Sequence, residues 1–267
     1  MWAAPRVGRR RLWPRRLSGD AVREAGRVWG DAVCGATPSA RTLTLMSSRV
    51  DLIRQHPRLL LVSDVDSTFI RQEVIELVAA YAGTQAEVAA ITSAAMAGEL
   101  DFAASLRARV ATLAGLPVAV LDDVRAQVEL TPGAAELVAW AHAQGHTFAL
   151  VSGGFLEIVE PIAAAHGIAH VRANRFEVRD GRLTGAIAGP IVDRAAKADA
   201  VAEFAALEGL PMAATVAIGD GANDLDMIAA AGLGIAFRAK PVVAGLADVA
   251  LAGPRLDAII GLLTSPA

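Results

Sequence analysis

Leu59-Leu60-Leu61-Val62-Ser63-Asp64-Val65-Asp66-Ser67-Thr68 is the stretch on which the fold turns. Four apolar residues in a row, about one strand long and closed by polar residues, describe a strand buried on both faces, as in a parallel sheet. The run stops at Ser63-Asp64-Val65-Asp66. In extended chain positions i and i+2 share a side, so the carboxylates of Asp64 and Asp66 lie on one face at the strand's end.

The same ending recurs downstream. Residues 147–151 read as a strand running into Ser152-Gly153-Gly154, and residues 215–218 as a strand running into Gly219-Asp220-Gly221. Helical patterns cover 134–144, 156–166, 193–208 and 222–231, and 234–237 is a further short strand. Strands alternating with helices imply a parallel sheet covered on both faces, and ligands bind at the C-terminal edge of such sheets. Asp64, Ser152 and Asp220 would converge there. From Val74 to Val128 the pattern stays helical, with breaks at Gly83-Thr84, Gly98, Gly115-Leu116-Pro117 and Thr131-Pro132-Gly133. Residues 175–187 alternate around Arg179-Asp180-Gly181-Arg182, a hairpin with Asp-Gly at its turn. The expected fold is therefore α/β: a Rossmann-like three-layer parallel-sheet core (57–73 and 131–267) with an inserted four-helix cap domain (74–130). A basic extension, 1–56, precedes it, disordered or partly helical.

Composition narrows the function. Apolar residues make up 54% of the 267, enough for a full core, and aromatic residues only 4%. Residues 1–50 carry ten arginines and three acids, whereas 51–267 carry 15 bases and 25 acids. An acidic body argues against nucleic acid as a partner. The apolar run 227–237 is too short to span a membrane. The single cysteine, Cys34, permits no internal disulfide and suits a reducing, cytoplasmic setting. The start of the chain reads differently from the rest, with Arg9-Arg10-Arg11, Arg15-Arg16 and three of the four tryptophans. A dispensable extension, with Met46 as the true start, is the reading we favour over a transit-type or membrane-surface peptide and a nucleic-acid arm.

The strand ends suggest phosphoryl transfer. Such a reaction can use one carboxylate to attack phosphorus and a second to protonate the leaving oxygen. Two anions repel a phosphate, and Asp220 with Asp224 adds oxygen ligands, a hard set suited to Mg²⁺ rather than zinc. Ser152, read at the start of a helix, offers donors to an anion, and Lys197 can neutralise it. Each feature alone has a plainer reading: Asp64 and Asp66 as turn formers, Asp220 as part of a common Gly-Asp-Gly turn, Lys197 as a solvated helix charge. Their conjunction, in order and at strand ends, favours the chemistry. The sequence has no Gly-x-x-x-x-Gly-Lys-Ser/Thr loop, no Gly-x-Ser-x-Gly elbow and no His-Glu-x-x-His, and its five histidines show no ligand spacing.

Asp64-Val65-Asp66-Ser67-Thr68, Ser152-Gly153-Gly154, Lys197 and Gly219-Asp220-Gly221-Ala222-Asn223-Asp224 resemble, in order and spacing, the four motifs of the haloacid dehalogenase superfamily of phosphatases. Within it, residues 57–262 are similar to the members that hydrolyse phosphoserine. The resemblance implies Asp64 as nucleophile and Asp66 as general acid and then base. It implies Mg²⁺ held by Asp64, the Asp66 carbonyl and Asp220. Ser152, Gly153, Lys197 and Asn223 would hold phosphate, and Asp224 would support metal and phosphate. Glu73 matches the position that binds the substrate ammonium, Arg109 the position that clamps its carboxylate, and Met96 and Phe102 apolar positions that close over the site. The implied partner is a small molecule, phosphoserine, with neither nucleic acid nor membrane, and the resemblance allows a homodimer. Other small phosphomonoesters, a phosphotransferase activity and a non-catalytic binding role are the alternatives.

Overall fold

The computed structural model describes residues 49–96 and 99–264, without the side chain of Met96. Most of the basic extension, Met46, and the closing role expected of Met96 therefore lie outside the described residues.

The leucine run forms β1, Leu60–Ser63, with every residue buried. It pairs in parallel with β2, Thr147–Phe155, on one side and β6, Thr215–Gly219, on the other. β3 (His170–Asn174), β7 (Leu233–Phe237) and β8 (Val249–Leu251) complete a six-stranded sheet in the order β3-β2-β1-β6-β7-β8. The period-two alternation of strands splits the core into two clusters. Leu61, Leu150, Val216 and Ile235 share one cluster with Leu137, Ile158 and Ile259. Leu60, Val62, Ala149 and Ala217 share the other with Val201, Phe204 and Ile228. Helices α5 (Ala134–Ala143), α6 (Leu156–Ala165) and α10 (Ala258–Thr264) thus cover one face, while α7 (Arg194–Leu207) and α8 (Leu225–Ala230) cover the other. This is a three-layer α/β core. A short helix, α9, spans Pro241–Ala244.

Four helices are inserted after β1: α1 (Val74–Ala82), α2 (Gln85–Met96), α3 (Phe102–Ala111) and α4 (Val120–Ala126). Asp101 caps α3 by accepting from the Ala104 N–H at 2.7 Å, and Gly83 ends α1 in the left-handed conformation. Two linkers connect this cap to the core and run antiparallel. The Thr131 N–H donates to the Phe69 carbonyl and the Arg71 N–H to the Glu129 carbonyl, both at 2.9 Å. The hairpin β4 (Phe176–Arg179) and β5 (Arg182–Ile187) forms a third tie. Its turn places Asp180 and Gly181 at φ of 49° and 72°, as the Asp-Gly signal anticipates. Backbone bonds join it to the α3–α4 loop: Gly115 N–H to Leu183, Leu183 N–H to Leu116 and Val118 N–H to Gly181.

The structure differs from the sequence reading in a few places. Strands β3 and β8 and helices α9 and α10 have no counterpart in it. β3, with His170 and Arg172 among five residues, is an edge strand and lacks the apolar run of a buried one. β8 has only three residues. Ser152 does not start a helix: β2 continues to Phe155, its pairing with β3 shifts between Val151 and Phe155, and α6 begins at Leu156. The expected helix at 222–231 opens as a 3₁₀ turn, Ala222–Asp224.

Candidate active site

Asp64 follows the last residue of β1 and donates its N–H to the Ile218 carbonyl of β6 at 2.8 Å, so the central strands fix its backbone. Its carboxylate is buried and accepts a hydrogen bond from Lys197 Nζ. Lys197, on the first turns of α7, is wholly buried and donates also to Asp224 Oδ1 at 2.6 Å. Asp224 Oδ2 accepts from the N–H groups of Asp220 and Gly221 at 3.1 and 2.9 Å. Only glycine fits at 219, because a Cβ there would lie 2.5 Å from Asp224 Cγ. Asp220 Oδ1 accepts from the Thr68 hydroxyl at 3.2 Å.

Asp64, Asp220 and Asp224 each bring a carboxylate oxygen to within 4.8 Å of the others. Three carboxylates against one ammonium leave an excess of negative charge in a buried place. Burial and the neighbouring Asp224 raise the proton affinity of Asp64 well above the ordinary carboxylate range, against the pull of Lys197. Burial, then Asp224, lifts Asp220 to a pKa of about 6. Burial opposes the charge on Lys197, but Asp224 and Asp64 outweigh it and raise its pKa. A cluster that holds protons this way is one that a divalent cation with hard oxygen ligands would satisfy.

The Asp66 side chain stands outside this cluster. Its Oδ1 accepts from the Val74 N–H, the first of α1, at 2.8 Å, and its Oδ2 accepts from the Ser152 hydroxyl at 3.0 Å. Burial, then the negative charge of Glu73, raises Asp66 to a pKa of about 6. Two carboxylates at one strand end thus sit in different surroundings, one against an ammonium and one against neutral donors.

The segment 152–154 is pinned from several sides. Ser152 Oγ accepts from the Gly154 N–H at 2.7 Å, and the Gly153 carbonyl accepts from Asn174 Nδ2 at 2.7 Å. The ring of Phe102, from α3, lies over Gly153, where a Cβ would meet its Cζ at 3.1 Å and Asn223 Nδ2 at 4.0 Å. Core and cap therefore meet at the point expected to hold phosphate.

Glu73 sits just ahead of α1, and its carboxylate accepts from the Ser67 hydroxyl at 2.7 Å. Arg109 shares α3 with Phe102, two helical turns on, and its Nε donates to the Ser105 carbonyl at 3.4 Å. Burial lowers the guanidinium's proton affinity, while Glu73, Asp66 and Glu76 raise it, and the group stays charged. The structure thus joins Asp64, Lys197, Asp220 and Asp224 in one cluster and Asp66 with Ser152 beside it. It sets Phe102 over Gly153 and leaves Arg109 bonded to its own helix. Sequence reasoning gave no role to Ser67, Asn174 or Gln72. Ser67 has a left-handed backbone, φ 59°, which no sequence pattern shows. Asn174 ends β3, an edge strand without an apolar run to mark it.

Residues 61–229 match the family model described as haloacid dehalogenase-like hydrolase. The chain is 55% identical over 204 residues to phosphoserine phosphatase SerB2 of Mycobacterium tuberculosis, covering 76% of this chain and 50% of that protein. It is 48% identical over 204 residues to a phosphoserine phosphatase of Streptococcus thermophilus, covering 76% and 95%. A solved phospho-aspartyl intermediate analogue of phosphoserine phosphatase is similar at a TM-score of 0.73 and 38% identity, over 78% of this chain and 99% of that one. The chain spans about half the length of the first curated relatives it matches. Among the described residues no helix is long and apolar enough to cross a membrane.

Proposed function

The chain belongs to the haloacid dehalogenase-like hydrolases, and from that membership we propose that it hydrolyses O-phospho-L-serine to L-serine and phosphate through a phospho-aspartate on Asp64. The observation that carries the proposal is the pairing of two unlike carboxylates: Asp64, buried against Lys197, and Asp66, beside Ser152 and the first N–H of α1.

Asp64 attacks phosphorus, and the bond to the serine oxygen breaks as Asp66 gives that oxygen its proton. Asp66, now ionised, takes a proton from water as the water oxygen attacks the same phosphorus. Phosphate leaves and the Asp64 carboxylate is restored. A pKa of about 6 lets Asp66 serve as acid and then as base near neutral pH. Ser152, Gly153, Lys197 and Asn223 hold the phosphoryl oxygens and offset the charge that spreads over them. Asp64, the Asp66 carbonyl and Asp220 would hold Mg²⁺, with Asp224 in support, and the ion would screen the incoming phosphate from these carboxylates. Glu73 takes the substrate ammonium, Arg109 its carboxylate, and Phe102 with Met96 closes over both. The reaction would be the last step of serine biosynthesis, in the cytoplasm.

A substrate panel tests the reading. With Mg²⁺ the protein is expected to release phosphate from phosphoserine in preference to phosphothreonine, phosphoethanolamine and a sugar phosphate, and EDTA is expected to abolish the release. Preference for another panel member would replace the substrate, and no release from any would replace the enzyme reading with a binding role.

A further inference from the structure

The two linkers between core and cap form a short antiparallel ladder, and that ladder changes character at Gln72. Ile70 and Leu130 bridge, the Thr131 N–H donates to Phe69, and the Arg71 N–H donates to Glu129. The next bonds come from a side chain. Gln72 Oε1 accepts from the Glu129 N–H at 3.0 Å, and Gln72 Nε2 donates to the Gln127 carbonyl at 3.1 Å. A primary amide carries the same acceptor and donor as a peptide group, so the side chain extends the ladder in place of the backbone. The main chain of Gln72 is thereby released for another use: its carbonyl accepts from the Ser67 N–H at 3.3 Å. That turn brings the following residue, Glu73, onto the Ser67 hydroxyl at 2.7 Å, and the one after it, Val74, onto Asp66 at 2.8 Å.

From this we infer that Gln72 is a positioning residue for substrate selection: its amide, bonded across the linkers, sets where Glu73 stands relative to Asp66. The inference rests on the reading of Glu73 as the group that meets the substrate ammonium. Three features support a positioning role over simple linker stability. The amide is satisfied on both atoms by the opposite linker. Arg71 and Glu129 already pair at 2.8 Å beside it, so the linkers have a second tie. And the released carbonyl reaches Ser67, the left-handed residue that anchors Glu73.

Gln72→Met, which keeps the length and removes both bonds, tests the inference with three substrates. Phosphoserine and phosphoethanolamine carry an ammonium, and phosphoglycolate does not. Loss of two ordinary hydrogen bonds that align a binding group is expected to lower kcat/KM for phosphoserine by roughly tenfold, mainly through KM. Phosphoethanolamine is expected to lose a similar factor. Phosphoglycolate is expected to lose several-fold less than phosphoserine, because Asp66 keeps its bond from Ser152. Gln72→Glu, which removes the donor to Gln127, is expected to fail to restore phosphoserine. Stabilisation of the variant by beryllofluoride with Mg²⁺, a mimic of the acyl phosphate, is expected to match wild type and so to report an intact core. Equal losses on all three substrates, or a fall in kcat alone, would overturn the inference. Wild-type protein that turns over phosphoglycolate as well as it does phosphoserine would instead remove the reading of Glu73, and the inference with it.

Discussion

The floor of the site and its roof are built to different standards. On the floor, Asp64, Lys197 and Asp224 are almost wholly buried, and Lys197 and Asp224 are each held by two or more bonds. On the roof, Glu73 and Arg109 are at least partly open to solvent, and each side chain has one hydrogen bond among the described residues. A preorganised floor avoids reorganisation when charge develops on phosphorus, and transition-state stabilisation depends on that. A loosely held roof can admit a substrate and then settle on it. The difference suggests that chemistry and selection are separable in this molecule, and three measurements bear on it.

The largest effect belongs to the floor. Asp64→Asn keeps the shape and removes the nucleophile, so phosphate release is expected to fall by at least ~10⁴-fold for every substrate alike. The same variant is expected to lose the thermal stabilisation that beryllofluoride with Mg²⁺ gives the wild type. Stabilisation equal to wild type would place the acyl phosphate elsewhere.

Arg109→Ala addresses the roof. The substrate carboxylate would lose a charge-assisted partner, and kcat/KM for phosphoserine is expected to drop by roughly 10- to 100-fold. Phosphoethanolamine, which has no carboxylate, is expected to be hydrolysed at the wild-type rate. A uniform loss would mean that the two regions are not separable.

The smallest effect is a pH dependence of the cation site on the floor. Asp64 is raised and Asp220 sits at about 6 without a cation. A cation binds the ionised forms, so protons must leave, and Mg²⁺ affinity is expected to weaken by up to about tenfold per pH unit, for each proton displaced, as pH falls below 6. The sign for stability is opposite. These acids bind protons more tightly folded than unfolded, so the metal-free protein is expected to lose stability as pH rises from about 4 to 6. Calorimetric titration and denaturation midpoints across that range check both, and a flat Mg²⁺ profile would break the assignment of Asp220.

The sequence made the floor easy to read and the roof hard. Leu60–Ser63 and Thr215–Gly219 are buried on both faces, so their apolar runs announce parallel strands, and the acids that end them stand out. The cap showed itself as helical, with α1 burying Val74, Ile75, Val78 and Ala79 on one face, but in α2 only Val88 is fully buried, and periodicity says nothing of which polar side chains turn toward the site. Glu73 and Arg109 drew attention only through resemblance. Gln72 was illegible for another reason: its bonds cross from residue 72 to 127 and 129, a meeting that exists only once both linkers are folded. The strand at 170–174 was missed because an edge position tolerates His170 and Arg172 where a central one would not.

The burial of Lys197 has a practical corollary. The chain holds two lysines, and only Lys240 meets solvent. An acylating reagent applied to the native protein can reach the second ε-amine only when its bonds to Asp64 and Asp224 break and the surrounding structure opens. Counting adducts by mass would then time the opening of the protein's most guarded spot, with no engineered probe.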